Sequence, residues 1–243
     1  MKKLLVTLTM AFASLSALAA PATNLVINGD FEQTTRGAGQ LGYNTNATGW
    51  ATTGYNFLFA AGSADTTGAV GSYGPLSLWG RNNGGVDVVG DSPTGGNFIG
   101  ADGGFQVGAI EQTINGLVAG QQYNVSFDWA GAQQSNRFGA TTEQWAVSLG
   151  NQTRSTAIVN NANRGFTGWM TETFTFTAGS SSEVLSFLAH GTPSGEPPFA
   201  LLDGVSLTEV ANVPEPGTVW NMMIGACGLI AVTLFRRRRA DQA

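Results

Sequence analysis

The alternation of apolar and polar positions is the strongest signal in the middle of the chain. In "QQYNVSFDWAG", Tyr123, Val125, Phe127 and Trp129 fall on one side of an extended segment, and Asn124, Ser126 and Asp128 fall on the other. "VGAIEQTI", "EQWAVSLG", "TETFTFTA" and "EVLSFLAHG" follow the same period, while "NLVIN", "GNFIGA" and "FALLDGVSLTEV" are short apolar runs of strand length. Turn pairs such as Asn115-Gly116, Ala119-Gly120 and Gly150-Asn151 separate many of them. Between its two ends the chain carries no long 3.6-residue apolar period. The pattern predicts an all-β fold, a two-sheet antiparallel sandwich. Residues 33–96 break it, being rich in Gly and Asn with aromatics scattered among them. They are expected to form long loops with a few strands, where a sandwich usually carries its function.

The two ends have a different character. Met1-Lys2-Lys3 is a short positive segment, Leu4 to Leu18 is apolar, and Ala17-Leu18-Ala19 supplies the small residues of a cleavage site after Ala19. Residues 1–19 are therefore expected to be a secretory signal peptide. At the other end Pro214-Glu215-Pro216 precedes an uncharged run, Val219 to Phe235, which ends in Arg236, Arg237, Arg238 and Arg239. At about 1.5 Å per residue the run falls a little short of a roughly 30 Å hydrocarbon core, within the range tolerated for a single transmembrane helix. The arginines hold the cytoplasmic side, which leaves residues 20–212 outside as one exported domain.

Charge narrows the partners of that domain. It contains five arginines, no lysine and fourteen carboxylates, a net charge of about −9, which repels phosphate backbones and argues against nucleic acid. The single cysteine, Cys227, falls in the C-terminal apolar run, so the exported domain has no disulfide. His190 is the only histidine, there is no G-x-S-x-G, and Gly90-Asp91-Ser92 lacks the companion Asp three residues before His190, where Phe187 stands. These features argue against an enzyme. A hydrolase using two carboxylates remains an alternative, because their spacing exists only in three dimensions.

Two resemblances add to this reading. "NLVINGDFE", "AIEQTINGLVAGQQYNVSFDWAG" and "FALLDGVSL" occur in the order seen in galactose-binding-like jelly rolls, including carbohydrate-binding modules of that type. The resemblance implies a two-sheet jelly roll with its first and last strands close together. It also implies a structural calcium at Asp203 and Glu32, with Asp30 a weaker candidate. Asp203 shares parity with Leu201, Val205 and Leu207 and is expected to face inward with them. A buried carboxylate needs either a cation or hydrogen bonds, and both readings stand at this point. The tail, with Pro214, Glu215 and Pro216, the helix at 219–235 and the cluster at 236–239, resembles the PEP-CTERM sorting signal of residues 213–243. That resemblance implies an exosortase as partner and a Gram-negative source that makes extracellular polysaccharide. It further implies passage through the inner membrane before processing, then the cell surface or exterior.

Sugar recognition needs exposed aromatic faces with amides and carboxylates around them. Trp50, Tyr55, Tyr73 and Trp79 lie in the loop-rich segment, and Gln133, Gln134, Asn136 and Arg137 form a polar group after a strand. Trp50 and Trp79 are the expected platforms, and Trp129 and Trp145 are expected in the core. The sequence thus points to a non-enzymatic exported domain that associates with polysaccharide. A structural surface or biofilm-matrix protein without a small-ligand site is the alternative.

Overall fold

The alternating runs become strands, and the irregular segment becomes something other than loose loops. The computed structural model describes residues 23–211 except Val88. The signal peptide, Pro214-Glu215-Pro216, the apolar run and the four terminal arginines lie outside the described residues. Fourteen strands are formed among those described: β1 (Gly39–Gln40), β2 (Ala51–Thr52), β3 (Asn56–Phe59), β4 (Ala69–Gly71), β5 (Gly74–Leu76), β6 (Phe98–Asp102) and β7 (Ile110–Asn115). The remainder are β8 (Gln122–Gln133), β9 (Thr141–Leu149), β10 (Gln152–Ser155), β11 (Val159–Asn161), β12 (Met170–Thr177), β13 (Ser182–Thr192) and β14 (Pro198–Glu209).

Sheet one runs β1-β3-β6-β14-β8-β12, and sheet two runs β10-β9-β13-β7-β2 with β11 also on β9. Every strand pair in both sheets is antiparallel. The inward residues of the two sheets meet as the period predicts: Val125, Phe127 and Trp129 of β8 pack in one cluster with Trp145, Val147 and Leu149 of β9 and with Leu185 and Phe187 of β13. The Trp145 indole also donates to the carbonyl of Leu201 at 3.0 Å, tying one sheet to the other. Trp129 and Trp145 are core, as expected.

Sheet one is unusual in being buried on both faces. Phe57 and Phe59 of β3, Phe98 of β6, Ala130 and Ala132 of β8, and Phe199 and Leu201 of β14 form a second cluster on its outer side. Ala64, Ala69, Leu76, Leu78 and Val89, all from the irregular segment, cover them. A strand buried on both faces reads as a continuous apolar run rather than an alternating one, which explains "NFLF" and "FALL". Residues 60–97 are therefore a third layer over the sheet, not open loops.

Two local departures from the sequence pattern have clear causes. Asp203 does not share a face with Val205 and Leu207. Gly204 adopts φ +59, a left-handed value, and the β14–β8 register shifts between Asp203 and Ser206. Leu201 and Asp203 consequently face the outer layer, while Val205 and Leu207 face the inter-sheet core. The second departure is "NLVIN", which makes only an isolated bridge, Asn24 to Thr208, instead of a strand. Side-chain amides replace the ladder there. Asn24 Oδ1 accepts from Val26 N at 3.0 Å and Leu207 N at 2.9 Å, and Gln112 accepts from Ile27 N and donates to Ile27 O. The first and last segments are nonetheless adjacent, as the jelly-roll resemblance implies, with Val205 N donating to Gly29 O at 2.9 Å.

Candidate functional site

The expected platforms are not at the surface. Trp50 is 8 % exposed, packs on Phe31 and Phe187 in the main core, and donates its indole N–H to Asn28 O at 2.9 Å. Trp79 is 6 % exposed and donates to Arg137 O at 2.7 Å, with Phe138 against its ring and the Arg164 guanidinium 5.8 Å from its centroid. Both indole donors are satisfied inside the protein, so neither ring offers a free face to a sugar. Trp50 belongs to the main core and Trp79 to the third layer, so the absence of strand periodicity around them does not reflect exposure.

An exposed aromatic pair is found instead at Tyr73 and Phe105, which are 67 % and 41 % exposed. Their ring centroids are 5.7 Å apart, and both pack edge-on against the buried ring of Tyr55, at 5.7 Å and 5.3 Å. Gln106 Nε2 donates to the Tyr73 hydroxyl at 2.9 Å, joining the two loops. These rings border a cavity of about 400 Å³ that is also lined by Asp102, Gln134, Arg137 and the turn at Ser194 and Gly195. Three strand ends of sheet one supply it: the end of β6 gives Asp102, the end of β8 leads into Gln134, and β14 begins at Pro198.

Asp102 is the buried acid of this site, 1 % exposed. Its Oδ1 accepts from Gly104 N at 2.8 Å and Phe105 N at 3.0 Å, while Oδ2 has no partner among the described residues. Burial pushes its carboxyl up to about 6, and the two backbone amides only partly offset that. Burial, with the Asp102 charge and then Tyr73 adding to it, also raises the Tyr55 phenol. A fixed carboxylate with one unsatisfied oxygen, next to aromatic rings and an amide, can accept hydroxyl donors from a ligand. Of the polar group singled out in the sequence, Gln134 and Arg137 join this site. Gln133 does not: it is fully buried, bonded through Nε2 to Gly139 O and through Oε1 to Arg164 N. Asp102 and Phe105 went unrecognised in the sequence. The available signal was an acid closing an apolar strand immediately before Gly103-Gly104.

The two carboxylates matched to a calcium each hold part of one loop. Asp203 Oδ2 accepts from the Ser92 hydroxyl and from the Thr94 hydroxyl at 2.5 Å. Glu32 Oε1 accepts from Asn97 N at 2.5 Å and is exposed, as is Asp30. Calcium takes about six to eight oxygens, and among the described residues no three acidic, histidine or cysteine side chains gather as a cage. Loop hydroxyls thus serve as donors to one oxygen of Asp203, while Oδ1 has no partner among the described residues. His190 is an exposed residue of β13 paired across to Gln144.

Three buried acids share one sign. Burial raises Asp203 to about 6, partly offset by Ser92, Thr94 and Gly204 N, and raises Glu143, on the inner side of β9, to about 8 against its Thr141 hydrogen bond. A carboxyl whose pKa rises on folding contributes stability that is complete below its unfolded value and lost as pH climbs through its folded value. The melting temperature is expected to rise as pH falls from about 8.5 to about 5. Glu143→Gln should flatten the part of the profile between about pH 6 and 8. A melting temperature that falls as the pH is lowered from about 8 to about 6 in scanning calorimetry would contradict these assignments.

A family model described as a protein of unknown function (DUF642) matches residues 75–207. Halomucin of Haloquadratum walsbyi is 29% identical over 208 residues, which cover 84% of this chain but only 2% of halomucin. Among solved structures, TmCBM61 in complex with beta-1,4-galactotriose shares 15% identity at a TM-score of 0.41, covering 78% of this chain and 100% of that one. The CBM22-1 xylan-binding domain from Paenibacillus barcinonensis Xyn10C shares 10% at 0.39, covering 81% and 100%. A cyclase from Fischerella sp. TAU shares 16% at 0.48, covering 78% and 98%.

Proposed function

The chain belongs to the DUF642 family of proteins of unknown function, and from that premise we propose that it is an exported, non-enzymatic domain that binds polysaccharide at the Tyr73–Phe105–Asp102 cavity. The observation that carries this reading is the pairing of two exposed rings with a buried carboxylate whose Oδ2 is unpartnered among the described residues. A sugar presents C–H faces to rings and hydroxyls to acceptors, so both halves of the cavity suit it. Binding is favoured over catalysis because Asp102 is the sole carboxylate among the described residues lining that cavity, whereas glycoside hydrolysis ordinarily takes two. Retention of the purified protein on immobilised polysaccharides tests the site. Tyr73→Ala should weaken retention about tenfold and leave the melting temperature nearly unchanged. Trp79→Ala and Phe127→Ala should each cost about 3–5 kcal/mol of stability. Unchanged retention by Tyr73→Ala would remove this cavity from consideration; a protein retained by no polysaccharide would support a matrix protein without a ligand site.

Delivery is the second part of the proposal. The segment Pro214-Glu215-Pro216, the apolar run 219–235 and Arg236 to Arg239 support sorting by an exosortase after export through the inner membrane of a Gram-negative bacterium. In the sequence Glu215 is flanked by Pro214 and Pro216, residues that helix and sheet interiors both disfavour. Mass spectrometry of the surface or released form should find no peptide beyond about residue 220. Recovery of an intact "LFRRRR" end from that fraction would refute the processing step.

A further inference from the structure

Beside the aromatic cavity lies a second one of about 290 Å³, and the two share Pro75, Gln134 and Arg137. Its other polar lining comes from Thr66, Thr67, Ser77, Ser135 and Asn136. Arg137 is the one charged residue among the described residues lining it, and no carboxylate does so. That is unexpected in a domain with five arginines and fourteen carboxylates.

The guanidinium of Arg137 is also unclaimed. Arg137 is exposed, and among the described residues its side chain makes no hydrogen bond or ion pair; acids of this region accept from other donors, although Asp102 Oδ2 stays unpartnered. Glu196 accepts from Phe138 N at 2.7 Å, Asp102 accepts from Gly104 and Phe105 amides, and Asp65 accepts from Asn82 through both its backbone and its side chain. The backbone beneath Arg137 is held firmly. Its carbonyl takes the Trp79 indole at 2.7 Å, Asn136 makes the turn at φ +64, and Gly139 N donates to Asn163 Oδ1 at 2.9 Å. An arginine on a fixed loop, in a cavity whose other polar side chains are hydroxyls and amides, is set to meet two oxygens of an oxyanion at once. A neutral sugar would leave that charge without a counterpart.

We propose that this second cavity is a subsite for an anionic substituent, a carboxylate or sulfate ester, on a saccharide whose ring lies against Tyr73 and Phe105 in the first. The inference rests on the polysaccharide reading above and adds the substrate class: acidic chains, gripped by Arg137 at the junction of the two cavities. The negative charge of the whole domain disfavours such polymers in general, so selectivity comes from this one local cation. Salt should weaken it accordingly.

The test is retention of the purified protein on uronate-containing polysaccharides of several linkages, each beside its carboxyl-reduced counterpart and the sulfated form of that counterpart. The wild-type protein should retain an acidic member about tenfold better than its reduced counterpart at low salt, with the ratio shrinking as salt rises. Arg137→Met should bring that ratio close to one whatever it does to retention of the neutral member, and Arg137→Lys should restore part of the ratio. Tyr73→Ala should lower both members together. Preference for the uronate, the sulfate ester or both identifies which oxyanion the subsite takes. A wild-type ratio near one, or a ratio unchanged in Arg137→Met, overturns the anionic subsite while leaving the polysaccharide reading in place. Retention of no member by the wild-type protein overturns both.

Discussion

Burial of both faces of one sheet governs the rest of this structure. The outer side of sheet one exposes Phe57, Phe59, Phe98, Phe199 and Leu201, which could not face water without losing about 1.5–3 kcal/mol for each large side chain. Residues 60–97 supply the cover, and in doing so they set Tyr73 and Pro75 beside the strand ends that carry Asp102 and Gln134. The site is thus a consequence of how the third layer meets the rim of the sheet.

The same layer uses polar groups as fasteners. Ser92 and Thr94 reach Asp203, Asn97 meets Glu32, and the Trp79 indole holds the loop at Arg137. Asp203 lies directly across from Asp128, whose Oδ1 accepts from Thr171 at 2.6 Å, so the hydroxyl donors also separate two acids on adjacent strands. Chain segments far apart in sequence are thereby joined without a disulfide, consistent with a cysteine count of one.

What the sequence made legible follows from which physical signals are periodic. The first half of β8, and β9, β12 and β13, alternate because each has one face toward the inter-sheet core and a more open one, and their existence could be read directly. The position of Asp203 could not, because parity holds only while the strand stays regular, and Gly204 breaks it. Trp50 and Trp79 were misplaced for a related reason: an irregular segment entering the main core and a covering layer both pack large rings without any repeat to betray them. Tyr73, Gln134 and Arg137 were recognisable by type. Their convergence with Asp102 and Phe105 depends on contacts between residues some thirty to sixty positions apart, which no local pattern encodes.

The most direct test of the account is an amide chemical-shift titration of the labelled protein with a polysaccharide fragment that it retains. Shifts concentrated at Tyr73, Phe105 and Gln134 to Arg137, with Trp50 and the β12 edge unmoved, are the predicted result. Shifts centred on the β12 edge or on the Ser92–Asn97 loop, with the Tyr73–Arg137 rim silent, would contradict it.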